Sequence, residues 1–268
     1  MTDDLGREVA LPEAPRRIVS LVPSLTETLF ALGAGPALVG VTRWCEEPAR
    51  EVAALPKVGG TKNPDVEAIA ALAPDVVVLN AEENRREDFT ALTDLGIACF
   101  VTEPKTIHDG IRLIARLGAL VGRIDAGAAI AAEQERRVRA LVAAVAGRPP
   151  ARYFCPIWRK PWMSFNADTY AHDMLRAAGG ANVCAAARER YPTVTLAEIA
   201  AAAPEVVLLP DEPYRFTEKD RPALAPLAGT PAFRLGRVHF VDGKALAWYG
   251  PRIADGLTRF AAIFSDAR

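Results

Sequence analysis

One block of fourteen residues occurs twice in this chain, 130 positions apart: VEAIAALAPDVVVL at 66–79 and LAEIAAAAPEVVLL at 196–209. Eight of the fourteen positions are identical, among them Ile69/Ile199, Pro74/Pro204 and Val77/Val207. Alanine inflates that count, but a matched proline followed by a matched valine is not explained by composition. The block reads as a helix, a proline stop and a buried strand, because proline cannot continue a helix and a run such as DVVVL packs on both faces. A unit used twice implies two similar lobes, each built on a parallel sheet.

The remaining pattern fills in both lobes. A strand is expected over 18–22, followed by Ser24 with Glu27 three residues on, a capping box that starts a helix closed by Gly33. A strand over 38–41 leads into TRWCEEP; a helix over 64–73, the strand 75–79, a helix over 84–95 and a strand over 97–102 follow. Two helical stretches, 106–121 and 125–146, then come without a strand between them. At 1.5 Å per residue the second would run about 33 Å, long enough to join two sheet units, and Arg148-Pro149-Pro150 ends it. Alternation resumes with a strand over 152–157, a helix over 169–178 ended by Gly179-Gly180, a helix over 197–203, strands over 206–209 and 238–241, and a last helix over 252–264. The expected fold is α/β, two Rossmann-like lobes with parallel sheets joined by one long helix: an N-terminal lobe over 1–122, a bridge over 123–148 and a C-terminal lobe over 149–268.

Charge and composition narrow the partners. The 268 residues carry 32 Lys and Arg against 33 Asp and Glu, a net charge of −1, with no basic excess for nucleic acid or an anionic membrane surface. No apolar run approaches the roughly 20 residues that span a bilayer. The opening MTDDLGREVALPEAPRR is acidic where a secretory leader is basic, so nothing in it directs export; the chain works in the cytoplasm, or its leader is not part of this sequence. Cys45, Cys99, Cys155 and Cys184 form no CxxC pair and read as free thiols, which favours a reducing compartment; the chain is expected to be a monomer.

Ligands of open parallel sheets sit beyond the carboxyl ends of the strands. All four tryptophans fall in that zone: Trp44 after 38–41, Trp158 and Trp162 after 152–157, and Trp248 after 238–241, with Tyr214 and Tyr249 in equivalent places. The polar residues of these loops include Arg43, Cys45, Glu46, Glu47, Asn80, Glu82, Glu83, Arg159, Asp211, Glu212, Arg215 and Asp242. Cys45 is a candidate soft-metal ligand, opposed by two adjacent carboxylates that raise its pKa and by the plainer reading of a half-buried thiol. His108, His172 and His239 have no metal-ligand spacing, and GGTKN at 59–63 lacks the GxxxxGK[ST] pattern of a phosphate loop. With no GxSxG, HExxH or GxGxxG motif, no catalytic residue, protein metal site or covalent cofactor is expected.

IVSLVPSLTETLFALGAG, the GGTKNPDVEAIAALAPDVVV block, the ENRRED helix start, the long mid-chain helix and the second PEVVLL block together resemble the cobalamin and ferric-siderophore class of ABC-transporter substrate-binding proteins, in its helical-backbone, cobalamin-binding-like branch. The resemblance runs from about Leu5 to the C-terminus. It implies a class III periplasmic-binding-protein-like fold, an extracytoplasmic location, and non-catalytic binding of a metal chelate in the cleft between two lobes. The chelate is a corrinoid such as cobalamin first, with a siderophore or haem next, and it is delivered to an ABC permease. In such proteins a glutamate near the start of the helix before each P-[DE]-V-V strand docks on permease arginines. Glu67 occupies that place seven residues before Pro74; seven before Pro204 stands Ala197, and the nearest acid is Glu198.

Joined to the residues, the resemblance implies a ligand-binding set of Trp44, Cys45, Glu82, Trp158, Arg159, Trp162, Tyr214, Trp248 and Tyr249, with Arg43, Arg159 and Arg252 available to polar ligand edges. Two other readings stay open. One is a cytoplasmic metallochaperone or tetrapyrrole-handling enzyme that uses Cys45 with Glu82 or Glu83; the other is an interaction module whose tryptophans pack on their own lobes.

Overall fold

The computed structural model describes residues 1–11 and 14–266. The chain forms two units: Met1–Pro104, His108–Glu135 and Tyr249–Pro251 make the first, and Lys105–Ile107, Arg136–Trp248 and Arg252–Arg268 the second.

The first unit contains β1 (Ile18–Ser20), α1 (Pro23–Ala31), β2 (Leu38–Val41), α2 (Ala49–Ala53), α3 (Val66–Ala71), β3 (Val76–Asn80), α4 (Arg86–Asp94), β4 (Cys99–Thr102) and all but the first residue of α5 (Ile107–Leu120). Its sheet is parallel in the order β2-β1-β3-β4, with Ile18 beside Val76 and Val77 beside Cys99. Val76 to Asn80 are all buried, so β3 is apolar on both faces. Val19, Leu21, Ile69, Val77, Leu79 and Leu92 share one core.

The next helix, α6 (Ile124–Val145), has 22 residues, and the unit boundary falls inside it between Glu135 and Arg136. The second unit follows with β5 (Ala151–Phe154), α7 (Tyr170–Ala177), β6 (Gly180–Asn182), α8 (Leu196–Ala201), β7 (Val206–Pro210), a 3-10 stretch at Glu218–Leu227, α9 (Pro231–Arg234), β8 (Val238–Val241), α10 (Gly243–Ala247) and α11 (Ile253–Asp266). Its parallel sheet has the order β6-β5-β7-β8, the same topology as the first.

The sequence repeat is a structural repeat. Displaced by 130, the bounds of α3 become those of α8 and the bounds of β3 those of β7. Asp65 caps α3 by accepting from the Ala68 amide, and Thr195 caps α8 by accepting from Glu198. Both helices end in an alanine with left-handed backbone, Ala73 (φ 44°) and Ala203 (φ 47°), just before the matched prolines. Asp75 then accepts from the backbone amides of Arg16 and Arg17, and Glu205 from that of Arg152, tying each repeat to the strand beside it.

Several local expectations are corrected. Ser24 and Glu27 form no capping box: α1 begins at Pro23, its N-cap is Val22, and the Ser24 side chain is buried inside the first turn. Proline at the first helical position, with its preset φ and no amide to leave unpaired, starts the helix instead. The predicted close at Gly33 stands: the Gly33 amide bonds to Phe30 and that of Ala34 to Leu29, a Schellman ending. The strand expected over 152–157 stops at Phe154. Gly179 (φ 97°) closes α7, but Gly180 belongs to β6, where a Cβ would stand 2.6 Å from Phe264 and 2.7 Å from Tyr153. That strand, too short for a hydrophobic run, escapes a pattern search, as do α2, α9 and α10.

Candidate functional site

In the second unit the loops after β5 and β7 form one aromatic cluster. Trp158 meets Tyr214 edge-on at 5.7 Å, Tyr214 lies 4.7 Å from Phe216, and Trp162 stacks on Phe216 at 6.0 Å with the planes 5° apart. These contacts reach into the hydrophobic core that holds Phe154, Val207 and Leu209. Trp158 is 43% exposed, so a large apolar ring faces outward on a fixed base.

Asp220 fixes the polar edge of this cluster. Its buried carboxylate accepts from the Arg159 guanidinium, from the Tyr214 hydroxyl at 3.0 Å and from the Thr217 amide at 2.9 Å. Burial pushes its pKa up, but the Thr217 amide and the Arg159, Tyr214 and Thr217 side chains outweigh it and hold the carboxyl below the ordinary aspartate range. Asp220 is a part of this candidate site that the sequence reading missed. The signal was there in Thr217 three residues before Asp220, which here close a capping box on the 3-10 stretch.

Trp248, at the end of α10, is buried. Its ring lies 5.1 Å from the Lys244 ammonium and 5.0 Å from the Arg252 guanidinium, and its indole bonds to the half-buried Glu212 carboxylate. Trp248 thus plugs its own unit, whereas Trp158 faces out.

In the first unit Trp44 is 57% exposed, with the Arg43 guanidinium 5.9 Å from its ring. The neighbouring loop 59–63 is tied to it, the Arg43 amide bonding to the Gly59 carbonyl at 2.8 Å. Trp44 is seated against Gly60, where a Cβ would stand 3.1 Å from Trp44 Nε1 and 2.5 Å from Asn63 Oδ1. Glu82 lies in the turn after β3, its amide donating to Asn80 Oδ1 and its carbonyl accepting from Lys62 Nζ.

Cys45 is buried, with its Sγ 3.1 Å from Thr26 Oγ1 and 3.2 Å from Thr42 Oγ1, and burial pushes the thiol pKa up. It is more deeply buried than its half-buried sequence reading, and its neighbours are hydroxyls rather than metal donors. Among the described residues, no group of three or more His, Cys, Asp and Glu is placed to hold a metal ion. Tyr249 is buried too, its phenol oxygen accepting from Asn80 Nδ2 at 2.9 Å. Of the nine candidates, Trp158, Arg159, Trp162 and Tyr214 come together in one cluster; Trp44 and Glu82 stand in adjoining loops of the first unit; Cys45, Trp248 and Tyr249 lie beneath the surface.

Two units of one topology, each with an outward tryptophan beyond the carboxyl end of its own parallel sheet, define a class: two-lobed solute-binding proteins. The pattern of the periplasmic binding protein family matches residues 18–244, and the chain belongs to that family, whose members bind solutes without catalysis. The cobalamin-binding protein of Halobacterium salinarum is 29% identical over 98% of this chain and 73% of its own length. A vitamin B12-binding protein of Vibrio cholerae is 26% identical over 74% of this chain and 72% of its own. In fold, the chain matches the periplasmic vitamin B12 binding protein of Vibrio cholerae with a TM-score of 0.85 at 23% identity, covering 96% of this chain and 99% of that one. The periplasmic heme-binding protein BhuT, solved with two hemes, matches at a TM-score of 0.83 and 28% identity over 94% of this chain and 98% of that one.

Proposed function

We propose that this chain is the extracytoplasmic solute-binding component of an ABC importer and that its ligand is a corrinoid. The observation that carries this reading is the outward face of Trp158 on its braced aromatic cluster, a surface suited to the apolar flank of a large macrocycle. Trp44, with Arg43 beside it, offers a second such ring in the first unit. Arg159 is already paired with Asp220. Its remaining donors therefore suit neutral, amide-rich edges better than a polyanionic chelate, which would need uncompensated positive charge. The three histidines stand in α5, α7 and β8, not in these loops, and all four thiols are buried. A chelate that already carries its own axial ligands fits that inventory best. The long alignment with a cobalamin-binding protein supports a corrinoid as well.

The test is a titration of the purified chain with cyanocobalamin, dicyanocobinamide, hemin and a ferric siderophore, followed by visible absorption and tryptophan fluorescence. Saturable binding of the two corrinoids is expected, and Trp158→Ala should weaken it by more than about fivefold, the loss of a binding anchor worth over about 1 kcal/mol. Tight binding of hemin or the siderophore with none of cyanocobalamin would replace the corrinoid by that ligand.

A further inference from the structure

The tripeptide Tyr249–Pro251 belongs to the first unit, although the chain immediately before and after it belongs to the second. Its place in the first unit is closely specified. Gly250 has φ 122°, and a Cβ on it would stand 2.2 Å from Thr28 Oγ1, so any other residue would be strained and would have to push the Thr28 side chain aside. The Pro251 carbonyl accepts from the buried Gln134 side chain at 2.8 Å. Tyr249 is buried beside Asn80, with the hydroxyls of Ser24 and Thr102 flanking the same phenol.

Asn80, the last residue of β3, organises the turn that follows. Its Oδ1 accepts from the amides of Glu82 at 2.8 Å and Glu83 at 3.1 Å, while its Nδ2 donates to Tyr249 at 2.9 Å. A carboxamide can rotate by half a turn and exchange these two ends. With two backbone donors on one side and the phenol oxygen on the other, only one orientation satisfies every partner. Without the phenol, Nδ2 keeps only a long 3.4 Å contact to Thr102 Oγ1, and the buried donor is left poorly satisfied. The turn is in turn bonded to the 59–63 loop: Asn84 Nδ2 donates to the Thr61 carbonyl at 2.8 Å and Lys62 Nζ to that of Glu82 at 2.5 Å. That loop contains Gly60, against which Trp44 is seated.

We propose that Tyr249 is a positioning residue: it fixes the Asn80 carboxamide and, through it, the 80–84 turn and the 59–63 loop against which Trp44 is seated, and so sets ligand affinity without touching the ligand. The affinity part rests on the corrinoid reading given above; the positioning part does not.

The experiment compares the wild-type full chain with Tyr249→Phe, which removes only the hydroxyl, and with Tyr153→Phe as a control. Tyr153 is a fully buried tyrosine of the second unit whose hydroxyl has no hydrogen-bond partner. Residue-resolved amide exchange by NMR is measured without ligand, and the Kd for cyanocobalamin separately. In Tyr249→Phe the Glu82 and Glu83 amides should exchange faster by about fivefold, one hydrogen bond of ordinary net strength, while amides of β1 keep their rates. The Kd for cyanocobalamin should rise severalfold, and Tyr153→Phe should change neither. Unaltered exchange at Glu82 and Glu83, or an increase shared equally by every amide of the unit, would overturn the proposal and leave Tyr249 a packing residue. If the wild type binds no cyanocobalamin, the corrinoid reading fails, and the exchange result alone decides the positioning role.

Discussion

Glu212 illustrates how far a single side chain's surroundings depart from what its letter suggests. It packs on Gly243, where a Cβ would stand 2.3 Å from its Cγ, and accepts from the Trp248 indole with Lys244 nearby. Burial nonetheless dominates and raises its pKa, so folding favours the neutral acid. The stability linked to Glu212 is therefore full below the ordinary glutamate range and is lost as pH rises through its raised folded value. Glu212→Gln should melt higher than wild type at pH 7 and match it near pH about 4, where the unperturbed carboxyl is itself largely protonated; a gap that stays constant with pH would show that packing, not ionisation, separates them. The thiols behave alike for the same reason. All four are buried; burial pushes Cys99 up to about 12 and raises Cys45, Cys155 and Cys184 as well. Native protein should therefore leave a thiol reagent such as DTNB almost unreacted over the time in which the denatured chain titrates all four, since only an accessible thiolate attacks. Rapid reaction of one native thiol would mark it, and Cys45 first, as open to ligand or metal. Residue type and spacing made Cys45 interesting; burial against Thr26 and Thr42 is what makes it inert, and Thr26, on α1, is too far along the chain to be announced by local pattern.

At the scale of elements, α3 and α8 are the same device built twice. Each has a side-chain cap, a left-handed alanine and a proline stop, followed by a strand buried on both faces. Alanine is a costly residue at that stop, since left-handed backbone costs about 1–2 kcal/mol for a residue with a Cβ. Glycine removes the cost but adds about 0.4–1 kcal/mol of freedom to the unfolded chain. Ala73→Gly and Ala203→Gly should each stabilise the protein, by about 0.5–1 kcal/mol, in urea denaturation. If one site stabilises and the other destabilises, the two stops are not equivalent. This repeat was legible because it is local: apolar spacing, proline and the β-branched run all lie within fourteen residues. The start of α1 was misread because Ser24 and Glu27 have capping-box spacing while Pro23, one residue earlier, sets the actual first turn. β6 was invisible because Gly180-Ala181-Asn182 carries no strand pattern of its own and is recruited by pairing with β5.

For the molecule as a whole, the consequence lies in the proposed delivery to a permease. Glu67 is exposed in the first turn of α3, while the matching place in α8 is the exposed Ala197. Glu198 does not replace it: its carboxylate folds back on Thr195, accepting from the amide at 2.8 Å and the hydroxyl at 2.7 Å, and these bonds hold its pKa below the ordinary value. If the chain docks on an ABC permease as proposed, Ala197→Glu should strengthen that docking, by up to about 1 kcal/mol if the new pair stays solvated and by about 2 or more if it is desolvated at the interface. Binding to that permease in nanodiscs measures it; tight wild-type binding that Ala197→Glu leaves unchanged or weakens would show docking through another surface. What the sequence determined by itself was whatever is repeated and local: two α/β units of one kind, a 22-residue helix between their strands, and tryptophans beyond strand ends. Only the tertiary structure decided which of those rings remain outside. Trp158 stays exposed because Tyr214 and Phe216, more than fifty positions away, support its edge. Trp248 is buried because Glu212, Lys244 and Arg252 enclose it. The deciding partners Glu212, Tyr214 and Phe216 are distant along the chain from the tryptophan each meets, and a pattern of nearest neighbours holds no record of them.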